Sequence, residues 1–307
     1  MWIGYTEYAS VSALGTSDKP IVFTSSASNP QAGDWNGIYF YAANSATGTK
    51  FTYCTFEYGG GAGQWSGILE LNDTKITLEN CTVRHSGNAG IYMYYEGQFT
   101  SFKNNLIEDC ALHCITCGAS AVSTIEANNS IIPTGNYGIE CGGVLKGNST
   151  WHKFEAPYII TDDLDVGNES GNTVWTIDPG VTIKLGPSVA IWLGYSEYAE
   201  VHAVGTSDLP ITFTSNASSP SKGDWDEINI YPNVASSSEF SYCNFWYGGS
   251  NDYGLIYMDS EGNDMEISNC NFAHSASVGI WVAYGSPTLS NNTFEDNEGQ
   301  DVHYDVK

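Results

Sequence analysis

Cysteines, a repeated histidine, an acid-rich segment and repeated aromatic rings are the side chains of this 307-residue sequence whose type and spacing invite chemistry. Cys54 and Cys81 hold one position on successive repeats, FTYC and ENC, and Cys243 and Cys270 hold it again in a second copy. Cys117 and Cys141 share the fourth position of CITC and GIEC, which leaves Cys110 and Cys114 four residues apart around a turn. Strands stacked in register bring equivalent Cα atoms to about 4.8 Å, within disulfide reach. Two readings stay open: up to four disulfides, as in an exported protein, or a ladder of reduced thiols filling a core. His85 in VRHSG and His274 in FAHSA match one another, but no Asp or Ser recurs beside both at a useful spacing. A turn residue bonding the next repeat is therefore expected, ahead of a catalytic base.

TDDLDVGNESGN, residues 161–172, gathers Asp162, Asp163, Asp165, Asn168 and Glu169 into one polar loop. Oxygen ligands of this kind suit calcium, although the ordered spacing of an EF-hand is missing and a solvated turn explains the same residues. Among the 20 Tyr and 9 Trp, the set Trp2, Tyr5 and Tyr8 returns 190 residues later as Trp192, Tyr195 and Tyr198. Strand alternation would put Trp192 and Tyr198 on one face and Tyr195 on the other. Such rings stack on sugars, join proteins, or fill a wide corner.

Charge removes several function classes. Ten Lys plus Arg stand against 35 Asp plus Glu, a net charge of -25, which repels phosphate backbones and anionic lipid. Nucleic acid and membrane are thus not the expected partners, and no apolar run is long enough to span a bilayer. Arg84 is the single arginine, so a lyase acting on polyanionic glycans with a basic catalytic residue is disfavoured. No paired Asp recurs on the repeated strands as a glycan hydrolase would need, and the chain reads as leaning away from catalysis.

The elements that must position these groups are short and repetitive. MWIGYTEYASVSALGTSDKPIVFTS returns as AIWLGYSEYAEVHAVGTSDLPITFTS, an internal duplication. Inside it a Gly-Ile marker recurs at GIYF 37, GILE 67, GIYM 90, CITC 114 and GIEC 138, with spacings of 30, 23, 24 and 24. Cys81, Asn105 and Asn129 keep the same 24-residue step, which is the signature of a solenoid with coils of about 24 residues. Segments such as KFTYCTFEY and KITLENCTV alternate apolar and polar residues between Gly, Asn and Ser turns, and so predict strands. Asn105, Asn129 and Asn292 continue the cysteine column and are expected to bond from coil to coil. The expected fold is all-β, a single-stranded parallel β-helix whose halves, 1–150 and 151–307, run on from one another.

The passage PYIITDDLDVGNESGNTVWTIDPGVTIKLGPSVAIWLG, with GTSDLPITFTS and GDW, resembles the right-handed parallel β-helix proteins of the pectin-lyase-like superfamily found on microbial surfaces. That resemblance implies a right-handed helix and a secreted or cell-surface location. It implies function poorly, since one solenoid hosts enzymes, adhesins and structural coats. The second copy has a lead-in, Trp151 to Ala190, that the first lacks, and Met1 stands where Ile191 stands. An uncovered first coil would suit head-to-tail self-assembly into a filament, sheath or surface layer. The expected role is a non-catalytic extracellular or cell-surface structural protein with itself as partner. The alternative is a carbohydrate-binding or carbohydrate-active β-helix with a glycan as partner, with calcium as the one cofactor in view.

Overall fold

The computed structural model describes residues 1–41, 48–61, 63, 66–167, 171–260 and 264–305. They form parallel β-solenoids of about nine turns of ~26 residues in all, with one short 3₁₀ turn at Ala119–Thr124. The chain divides into two compact units, Met1–Glu140 with Phe154–Pro157, and Cys141–Lys153 with Tyr158–Lys307.

Each unit is wound from three parallel ladders. In the first unit, one face runs through Trp2–Ile3, Ile38–Tyr41, Gly67–Asn72, Ala89–Tyr94, Ile115–Thr116 and the start of Ile139–Leu145. The second carries Ser12–Leu14, Lys50–Thr52, Lys75–Glu79 and Gln98–Lys103. The third carries Ile21–Phe23, Cys54–Glu57, Thr82–Ser86, Leu106–Cys110 and Ser130–Ile131. The second unit repeats this plan, and its nine-residue strand Tyr158–Val166 serves two faces, pairing first with Thr182–Leu185 and then with Ile191–Leu193.

Alternation fixes what each ladder buries. In Ile38–Tyr41 the side chains of Ile38 and Phe40 enter the core while Tyr39 and Tyr41 face outward. Parallel pairing in register then stacks like on like, so that Phe213, Phe245, Phe272 and Phe294 lie ring over ring at 5.1, 5.0 and 5.2 Å. Those spacings are close to the distance of about 4.8 Å between neighbouring strands.

Coil length is looser than the 24-residue spacing in the sequence. Equivalent residues are 24 apart at Cys81 and Asn105, 27 at Cys54 and Cys81, 22 at Cys270 and Asn292, and 37 at Val201 and Ser238. Extra residues leave at the bends, where no ladder has to absorb them. Two bends are built from non-glycine residues with left-handed φ: Tyr53, Asn80 and Asn104 at one, Tyr58, His85 and Asp109 at the other. The second unit repeats both, with Tyr242, Asn269 and Asn291, then Tyr247, His274 and Asp296.

The asparagine column does what its spacing requires. Oδ1 of Asn105 accepts the backbone N–H of Cys81, Oδ1 of Asn129 that of Asn105, and Oδ1 of Asn292 that of Cys270, each at 2.9 Å. Backbone groups opened by the bend are thereby paired inside the core.

Candidate ligand-binding face

The outward positions of the first face carry an aromatic ladder in each unit. In the first unit Trp2, Tyr39, Glu70 and Tyr92 stand on successive rungs, with Tyr41, Asn72 and Tyr94 beside them. In the second the rungs are Trp192, Asn229, Tyr257, Trp281 and His303.

A cluster of three rings is built twice at the start of these ladders. Tyr5 lies 5.1 Å from both Trp2 and Tyr41, and Tyr195 lies 5.8 Å from Trp192 and 5.0 Å from Tyr231. Strand alternation predicts Tyr195 on the opposite face from Trp192, and the structure corrects this. The strand ends at Leu193, and Gly194, at φ 69°, turns the chain so that Tyr195 returns over the indole. Gly4, at φ 73°, does the same for Tyr5. Trp2, Tyr5 and Tyr195 are 60%, 58% and 60% exposed. Tyr8 is exposed as well, while the Tyr198 hydroxyl donates to Glu200 at 3.1 Å.

Between the rings of the first unit lies a cleft of about 200 Å³ lined by Tyr39, Phe40, Tyr41, Glu70, Asn72 and Tyr94. Glu70 is only 3% exposed, and its Oε1 accepts the N–H of Gly67 at 3.2 Å. Burial pushes its carboxyl up to about 7, against the opposing pull of that N–H and of the Tyr39 hydroxyl. Tyr39 in turn is raised to about 12, first by burial and then by the Glu70 charge. In the second unit Glu227 is buried too, and its Oε1 accepts from Asn229 at 2.9 Å.

The matching histidines have partners that linear spacing hides. His85 stacks on Tyr58 at 4.8 Å and bonds Asp109; His274 stacks on Tyr247 at 4.7 Å and bonds Asp296. Each set is a column of bend residues tied across three coils, the role expected of a turn histidine.

The first half of the acid-rich segment is strand, not loop. Asp162, Asp163 and Asp165 lie on the strand Tyr158–Val166, where Asp163 accepts the Ala190 N–H at 2.8 Å and the Trp192 indole N–H at 3.3 Å. Asn168 and Glu169 lie outside the described residues. Among the described residues no group of three or more His, Cys, Asp or Glu side chains is placed to hold a metal ion.

All eight cysteines, Cys54, Cys81, Cys110, Cys114, Cys117, Cys141, Cys243 and Cys270, are buried free thiols. Of the two readings the disulfide one is corrected. In the first and second units Cys81 and Cys270 occupy their core column by accepting the N–H of Cys54 and Cys243, at 3.3 and 3.4 Å. Small apolar side chains fill that position without crosslinking.

The family described as the right handed beta helix region matches residues 14–151 and 197–305. The chain belongs to that family. Comparison with curated proteins and with solved structures finds no match. In this right-handed β-helix the site residues that sequence reasoning did not single out are Tyr39, Tyr41, Glu70, Tyr92, Tyr94 and Tyr231. For Tyr39, Tyr41, Tyr92 and Tyr94 the signal was present in GIYFY and GIYMYY, where Tyr recurs at every outward place of a strand.

Proposed function

We propose that this β-helix is a non-catalytic extracellular protein that binds neutral or cationic glycans through the aromatic ladders. The observation that carries the reading is the three-ring cluster, Trp2 with Tyr5 and Tyr41 and again Trp192 with Tyr195 and Tyr231, built in both units with Trp2, Tyr5 and Tyr195 exposed and Trp192 half-buried. Apolar ring faces flanked by carboxyl and amide groups offer a sugar both a stacking surface and hydrogen-bond acceptors. A net charge of -25 turns polyanionic glycans away. Carboxyls on the first unit's ladder do not converge, since the Tyr92 and Thr116 rungs separate Glu70 from Glu140.

The test is calorimetric titration of the full chain with neutral oligosaccharides. Trp2→Ala and Trp192→Ala are each expected to weaken binding about tenfold, the loss typical of a central aromatic contact. Undiminished binding in the double variant overturns the proposal. Concentration-dependent association that the same variants abolish, with no glycan bound, would replace it by self-assembly.

A further inference from the structure

Glu70 stands between two ring-bearing rungs, Tyr39 and Tyr92. Trp2, Tyr39 and Glu70 in the first unit correspond to Trp192, Asn229 and Tyr257 in the second, so a buried carboxyl stands where the sister ladder has a phenol. A carboxylate so placed is poorly compensated. Its hydrogen-bond donors, the Gly67 N–H and the Tyr39 hydroxyl, are neutral, and the cation facing it is the Met1 ammonium. Faces of aromatic rings carry negative potential and gain nothing from an anion, whereas a cation among them is attracted by rings and carboxylate together. The cleft is open enough, at about 200 Å³, to take a small head group against Tyr39, Tyr41 and Tyr94.

We propose that this cleft binds an organic ammonium group, with the Glu70 carboxylate as counter-ion and the tyrosine rings as walls. The proposal rests on the glycan reading in one respect, that the ammonium is then carried by an amino sugar. A free quaternary ammonium compound has the same chemistry and is the other source.

The full chain is titrated at about 0.15 M salt, which screens diffuse surface attraction beyond about 8 Å. The probes are tetramethylammonium chloride and matched oligomers of glucosamine and N-acetylglucosamine. Saturable tetramethylammonium binding is expected, with the free-amine oligomer held about tenfold tighter than its acetylated counterpart, and both effects lost in Glu70→Gln. Tyr94→Leu should weaken the ammonium probes in the same direction, and circular dichroism checks that both variants fold. Absence of saturable ammonium binding, or binding unchanged in Glu70→Gln, overturns the proposal. If both oligomers bind equally and tetramethylammonium does not, the cleft proposal fails and the glycan reading stands. If tetramethylammonium binds and neither oligomer does, the glycan reading fails and the cleft remains a site for small ammonium compounds.

Discussion

Nδ1 of His85 lies 2.5 Å from Oδ2 of Asp109, one coil further along the first unit, and both residues have left-handed backbone, at φ 53° and 49°. The pair recurs as His274 and Asp296 at 2.9 Å, φ 58° and 53°. Left-handed backbone is costly for most side chains but tolerated by His, Asp and Asn, so the residue types that can make this bend are also those that can bond along it.

Substitution at the bend separates these two contributions. His85→Ala loses the bond to Asp109 and the stack on Tyr58 and keeps the strained φ, and is expected to destabilise by about 1–2 kcal/mol. His85→Asn, at home in left-handed backbone, should cost less than half as much. Urea unfolding of the two variants checks the order, and equal losses would mean that the backbone conformation plays no part.

The Glu70 carboxyl makes stability depend on pH with a definite sign. Its value in the folded chain, about 7, is above the ordinary 4.5, so between these limits the folded state holds more protons than the unfolded state and stability falls as pH rises. The groups facing it, the Gly67 N–H, the Tyr39 hydroxyl and the Met1 ammonium, oppose burial without cancelling it. Glu70→Gln is therefore expected to stabilise the protein by roughly 1–3 kcal/mol at pH 8 and by almost nothing at pH 5. Urea midpoints at the two pH values measure it, and a pH-independent difference would contradict the assignment.

Eight buried thiols should be chemically silent in the native protein. Burial raises the Cys117 thiol to about 12, and a hydrogen bond to Cys114, followed by burial, raises Cys110; the bond with Cys81 lowers Cys54, but that thiol is buried like the others, so lack of access keeps the reagent from it. A colorimetric thiol reagent is expected to titrate almost none of the eight in buffer and all eight in denaturant without reductant. A count below eight in denaturant would restore the disulfide reading.

The fold was legible because its two periods are written in residue types that can be seen in a line: the 190-residue duplication and the column of Cys81, Asn105 and Asn129. The Glu70 cleft was not. The Gly-Ile marker sets GILE at 67 beside GIYF at 37, which would align Leu69 with Tyr39, yet the ladder pairs Leu69 with Ile38 and Glu70 with Tyr39. A slip of one residue exchanges the inward and outward faces of a strand, so the marker conceals the carboxyl on the aromatic side. His85 and Asp109 escaped for a different reason. Their separation is a coil length, 24 in one unit and 22 in the other, and so never repeats as a fixed motif.

The variable coils also set how the molecule yields to force. Hydrogen bonds in each ladder join one coil to the next, so tension on a unit peels coils away singly, and a coil of ~26 residues releases roughly 9 nm of extended chain. Because one coil can hold 22 residues and another 37, the steps are unequal, and their order along an extension trace would read the winding of the chain directly.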